Sequence, residues 1–148
     1  MQIIRTTVLL YLFAAMSAIC AEPAPATKIS TLHIGTHLIQ AEIADTQQSR
    51  ERGLMQRTHL CGHCGMLFVF EKAAKHGFWM KNTPLPLSIA FINAQGIIIN
   101  IAEMQANTTI IHRAQEDALY ALEMNQGWFS QRGIKRGDAV QVSKTIPK

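Results

Sequence analysis

Leu85-Pro86-Leu87-Ser88-Ile89-Ala90-Phe91-Ile92-Asn93-Ala94-Gln95-Gly96-Ile97-Ile98-Ile99-Asn100-Ile101-Ala102-Glu103-Met104 reads as two apolar strands around a turn. Leu85–Asn93 and Ile97–Met104 are rich in β-branched residues, and Ala94-Gln95-Gly96 supplies the short glycine-containing connection of a hairpin. Outward from it the pattern repeats. Lys28–Ile34 and His37–Ala44 alternate apolar and polar residues around Gly35-Thr36, a second hairpin signal. Gly65–Phe70 is a short apolar run of the kind a buried strand carries, and Gly77–Thr83, Tyr120–Met124 and Asp138–Ser143 are further strand candidates.

Helical signals are brief. Asp45 or Thr46 can cap a helix running to about Arg52, which Gly53 can close, and Gln126–Arg132 predicts one helical turn carrying Trp128 and Phe129. Seven or eight short strands with two short helices predict a mainly β protein, a compact antiparallel sandwich or barrel. The Gln105–Ala118 stretch has the weakest local pattern and is expected as a flap-like loop. Met55, Met66, Met80, Met104 and Met124 sit in apolar runs and are expected to pack the core rather than bind a soft metal.

The amino-terminal end has another character. Arg5 precedes the apolar block Val8–Ile19, interrupted only by Ser17, and small residues follow. A basic start, a short apolar core and a small-residue exit predict a secretory signal peptide over residues 1–21. That twelve-residue block is shorter than the roughly 20 residues of a membrane span. A lipid-anchoring cut before Cys20 is disfavoured by the bulk of Ile19. Residues 22–28 then read as a linker and residues 29–148 as a single β-rich domain. Its expected location is periplasmic or secreted, with no membrane span left after signal removal.

The full chain of 148 residues has 14 basic and 10 acidic side chains. Signal removal takes away Arg5 and no acid, leaving a net charge of +3 on 127 residues. That mild, scattered charge lacks the dense basic stripe of a nucleic-acid surface, so no nucleic-acid partner is expected. The mature chain keeps two cysteines, in Cys61-Gly62-His63-Cys64. In an oxidising compartment a local disulfide is the expected state. Two alternatives stay open. A thiol-disulfide oxidoreductase would use the same pair, although such a motif usually opens a helix and here it precedes the strand-like Met66–Phe70. A soft-metal site for zinc or copper would add His63, with His59 or His76 as further donors. Haem attachment is excluded because Gly65, not histidine, follows Cys64.

Phe78-Trp79-Met80-Lys81-Asn82-Thr83 carries the densest mixture of apolar and polar groups before Pro84. As an extended strand it would turn Phe78, Met80 and Asn82 to one side and Trp79, Lys81 and Thr83 to the other. Arg57, Lys81 and Glu123 are charged residues embedded in apolar segments, and such groups bury only when partnered. One reading makes them an ion-pair network knitting strands together. The other gathers Arg57, Trp79, Lys81, Asn82, Thr83 and Glu123 at a polar–aromatic cleft. Trp79 would offer a platform for a flat group or sugar face, and a cation would suit a carboxylate or polypeptide terminus.

Further residues, in order, carry a resemblance. They are Glu51-Arg52-Gly53-Leu54-Met55 with Arg57, Gly65-Met66-Leu67-Phe68-Val69-Phe70, and Phe78-Trp79-Met80-Lys81-Asn82-Thr83 with Pro86-Leu87. Phe91-Ile92, Leu122-Glu123, Gly127-Trp128, Gly133-Ile134 and Gly137-Asp138 complete the set. From Arg50 to Val142 the chain resembles the domain of unknown function 192 family. That resemblance implies a compact, often exported β-rich domain with no accepted catalytic activity; no cofactor is expected. Two departures stand out: Ser88 replaces the acid that usually follows Pro86-Leu87, and the cysteine pair replaces a polar turn. Ser-His-Asp order, a phosphate-cradling glycine loop and a His-x-x-x-His helix are all missing from the sequence. The expectation is therefore an exported binding or accessory protein for a small ligand or an envelope protein, with no catalytic or metal-ligating residue assigned.

Overall fold

A computed structural model describes residues 28–142, the side chain of Val142 excepted. The expected signal peptide, and the linker up to residue 27, lie outside the described residues. Lys28 is already tied to the domain: its Nζ lies 2.8 Å from Asp45 Oδ2, and its carbonyl accepts from Ile43 N at 2.8 Å.

Nine strands form among the described residues: β1 Ile29–Ile34, β2 His37–Ala44, β3 Cys64–Ala74, β4 Gly77–Phe78, β5 Leu87–Ile92, β6 Ile98–Met104, β7 His112–Arg113, β8 Ala118–Asn125 and β9 Val140–Val142. Seven make one sheet in the order β6-β5-β8-β3-β2-β1-β9, and β4 pairs only with β7. The sheet curls into a half-barrel, so the mainly β expectation is met in its barrel form. Both predicted hairpins occur, β1–β2 and β5–β6. The one departure from antiparallel pairing is β2 with β3. Parallel neighbours need a crossover, and α1 Gln47–Arg52 lies in that connection. Thr46 caps α1 by accepting from Ser49 N, and Gly53 N returns to Ser49 O. The predicted carboxy-terminal turn is the 3-10 segment Ser130–Arg132.

The two edges of the curled sheet meet at one place. Ile97 bridges Ala139, and Val140 N donates to Gly96 O at 2.8 Å. A Cβ on Gly96 would stand 2.9 Å from Val140 O, and its φ of +79° is one that side-chain-bearing residues rarely adopt. Only glycine fits that seam.

Alternation along the central strands creates two cores, one on each face. Inside the curl lie Leu32, Ile39, Leu67, Ala90, Ile92, Leu122 and Met124, closed by Trp128 and Phe129. On the outer face lie Met66, Phe68, Leu87, Ile89, Phe91 and Ala121, covered by Leu54, Leu60 and Met80. All six residues of β5 are buried because both its faces are packed. Met66, Met80, Met104 and Met124 are buried, as core methionines should be.

The strand expected over Gly77–Thr83 stops at Phe78. Beyond it the chain turns: Thr83 N donates to Met80 O at 3.1 Å, and Asn82 adopts φ 55°. Asparagine tolerates that left-handed conformation, and Pro84 removes a strand donor, so the turn prevails over extension. The two-sided alternation of Phe78–Thr83 therefore does not hold. The turn is fastened by Gln56 N to Asn82 O at 2.8 Å and Met80 N to Thr108 O at 2.9 Å. The 105–118 stretch contributes β7, opposite Gly77 and Phe78.

Candidate functional site

Strand β8 runs between β3 and β5, and Glu123 sits opposite Met66 on one side and Ile89 on the other. Leu122 and Met124 point into the curl, so Glu123 points to the outer core. Its side chain is 4% exposed. Among the described residues no cation or hydrogen-bond donor meets its carboxyl, and burial alone raises its pKa to about 8. Loss of hydration disfavours the carboxylate, so the group is mainly neutral at pH 7. In that state it presents an O–H donor and a carbonyl acceptor.

Above it opens a cleft of about 250 Å³. Leu54, Phe68, Phe78, Trp79, Thr83 and Glu123 line it, with Arg50, Arg52, Phe70 and His76 also contributing. The walls hold their shape by ring packing. Phe78 meets Phe68 edge-on at 4.8 Å and Phe91 at 5.7 Å. His76 stacks on Phe70 at 3.5 Å, and the Arg50 guanidinium lies 5.6 Å from the same ring. Arg50 Nη1 donates to Asp45 O at 2.8 Å and Val69 O at 2.9 Å, which fixes this cation as part of the frame.

Trp79, Thr83 and Glu123 thus come together at the cleft. Trp79 is 48% exposed, and Lys81 Nζ lies 5.3 Å from its ring centroid, outside the lining. Asn82 serves the turn through its backbone. Thr83 Oγ1 donates to Lys81 O at 3.2 Å. Arg57 lies elsewhere in a bidentate pair with Glu42 of β2, its Nη2 2.6 Å from Glu42 Oε2. The hydrogen bonds that Arg57 donates to Glu42 raise the guanidinium pKa against the lowering effect of burial. An Arg57–Lys81–Glu123 network does not form.

Sequence reasoning passed over Arg50, Leu54, Phe70 and His76. Leu54 and Phe70 stand in the motif segments, where a signal was present. His76 drew notice only as a metal donor, and nothing local in the sequence places it on Phe70.

Ser88 is fully buried and donates to Glu103 Oε2 at 2.6 Å while accepting from Gly127 N at 2.8 Å. Glu103 is the cross-strand partner of Ser88, so the neighbouring strand brings a carboxylate to position 88.

Cys61 and Cys64 form a disulfide with Cα atoms 5.0 Å apart. His63 Nδ1 lies 3.7 Å from Cys61 Sγ. Cys61, His63 and Cys64 have donor atoms within 4.8 Å of one another, and neither His59 nor His76 belongs to that group.

The chain is thus a curled, mostly antiparallel sheet with a cleft on its outer face. The chain belongs to the domain of unknown function 192 family, whose model, described as "Uncharacterized ACR", matches residues 30–142. A Novosphingobium aromaticivorans protein of unknown function is similar in structure at 31% identity and a TM-score of 0.76, over 90% of this chain and 99% of that one. A Sinorhizobium meliloti protein, provisionally described as a transcription regulator, is similar at 31% identity and a TM-score of 0.75, over 83% and 98% of the two chains. No curated protein matches the chain. No helix among the described residues is long and apolar enough to cross a membrane.

Proposed function

We propose that this protein is an exported, single-domain binding protein that takes a small ligand into the cleft above Glu123. The observation that carries the reading is a buried carboxyl with no protein partner among the described residues, in a hollow walled by Leu54, Phe68, Phe78 and Trp79, which Arg50, Glu51, Arg52 and His76 also line. A fold gains nothing from dehydrating such a group, and a pKa displaced in a cleft is a physical mark of a site. The ligand that fits has a flat or apolar body to lie between Phe78, Leu54 and Trp79. It also has one uncharged polar group, a carbonyl, amide or hydroxyl, to exchange a hydrogen bond with neutral Glu123. Export is supported by Arg5, the Val8–Ile19 apolar block and the small residues that follow. A ligand in the cell envelope would follow from it.

The test is a nuclear magnetic resonance screen of aromatic amides and alcohols against the uniformly labelled domain. Hits should shift residues 53–55, 68, 78–83 and 123, and binding should fall at least about tenfold in Glu123→Leu and Trp79→Ala while circular dichroism is unchanged. If no such fragment binds, or if hits map away from these residues, the reading fails. It also fails if Trp79→Ala and Lys81→Ala unfold the domain, since both would then be structural. Osmotic-shock fractionation checks export separately, by release of a shortened chain from the periplasm.

A further inference from the structure

The Cys61–Cys64 loop lies apart from the cleft, and its backbone is held to an unusual degree. Every carbonyl from Leu60 to His63 accepts a hydrogen bond. Asn125 Nδ2 donates to Leu60 O at 3.0 Å and to Cys61 O at 3.1 Å. Trp128 Nε1 donates to Gly62 O at 2.9 Å. Cys64 N also donates to Cys61 O, and Gln40 N donates to His63 O at 2.9 Å. The donors come from β2, from the end of β8 and from the tryptophan that closes the inner core. None of these bonds involves sulfur, so cleaving the Cys61–Cys64 bond breaks none of them directly.

That frame presents two sulfurs and an imidazole together. Cys61 and Cys64 are half-exposed, His63 is exposed, and the three donor atoms fall within 4.8 Å. His63 Nδ1 faces Cys61 Sγ at 3.7 Å. We propose that the reduced form of this loop binds one monovalent copper ion through Cys61, His63 and Cys64. Thiolate and imidazole are soft and borderline donors, and three of them suit a cation that accepts low coordination. Structural zinc asks for four protein ligands, and the group here has three.

The step balances with an external dithiol as reductant. The dithiol is oxidised to its disulfide, the Cys61–Cys64 bond is cleaved, and both protons remain on the protein thiols. Copper(I) then replaces those two protons, which leave to solvent, and neutral His63 supplies the third donor pair. An external disulfide, reduced to two thiols as it re-forms the Cys61–Cys64 bond, would release the ion, so the occupied and disulfide states exclude one another.

The experiment uses the mature protein, reduced anaerobically with dithiothreitol, desalted, and titrated with copper(I) against bicinchoninate. The expected result is one ion per chain, with X-ray absorption reporting two sulfur and one nitrogen neighbours. The Cys61→Ser/Cys64→Ser variant should take up none while keeping its circular dichroism spectrum. His63→Ala should bind at least about tenfold more weakly and lose the nitrogen neighbour. Unreduced protein should not compete with the dye. Undiminished binding in the double serine variant overturns the proposal, as does failure of the reduced protein to compete. A reduced protein that prefers zinc in a four-coordinate site overturns the assignment to copper. Because the cleft residues take no part, each of these results is independent of ligand binding at Glu123.

Discussion

Replacing Glu123 by glutamine should make the protein more stable at neutral pH and remove a steep pH dependence. In the fold its carboxyl has a pKa of about 8, raised by burial from the ordinary 4.5. Between those values the folded chain keeps a proton that the unfolded chain has released. The folded side binds more protons, so stability must fall as pH rises, which is the reverse of an ion-paired carboxylate. The contribution is intact below pH 4.5, declines through neutrality, and levels off above the folded-state pKa. Each pH unit is worth about 1.4 kcal/mol, so the loss is about 3 kcal/mol at pH 7 and about 5 kcal/mol above pH 8. Glutamine keeps the shape and a neutral hydrogen-bonding group but cannot ionise. Urea unfolding of both proteins from pH 4 to pH 8.5, followed by tryptophan fluorescence, isolates the difference. Glu123→Gln should gain on the natural protein by about 3 kcal/mol between pH 4 and pH 7. Two parallel stability curves, with a constant offset, would refute the buried neutral carboxyl and the reasoning built on it.

Two other substitutions probe the frame. Gly65→Ala should lose about 3 kcal/mol in urea unfolding, because an added Cβ would stand 2.6 Å from Glu123 O and collide with Met124 Sδ where β3 meets β8. Arg57→Ala should lose only about 1 kcal/mol by the same measurement, since its pair with Glu42 is partly solvent-exposed, and it should leave fragment binding at the cleft unchanged.

In the proposed reading, Glu123 sets stability against function in one residue. A leucine there would continue the outer core formed by Met66, Phe68 and Ile89, with no dehydrated polar group. In that reading, a group that costs stability is kept for the ligand that enters the hollow. The Ser88–Glu103–Gly127 cluster makes the contrast, since its buried hydroxyl has both its donor and its acceptor capacity used within the fold.

Local chemistry in the sequence determined much of this protein. The apolar run from Leu85 to Met104, broken by Ala94-Gln95-Gly96, could fold only as a hairpin. Gly35-Thr36 marked the other hairpin, and Thr46 and Gly53 marked the ends of α1, because turns and caps depend on residues a few positions apart. Tertiary structure alone decided the rest. The parallel pairing of β2 with β3, the seam at Ile97–Ala139 and the stacking of His76 on Phe70 join segments whose sequences do not announce each other. Asn82 and Pro84 turned an apparent strand into a corner, and only its anchors at Gln56 and Thr108 show where that corner sits. Arg57 and Glu123 looked alike as charges within apolar motifs, yet one found Glu42 on β2 and the other found no partner among the described residues. Charge is written in the sequence, whereas solvation and pairing depend on which distant residues the fold brings within a few ångströms.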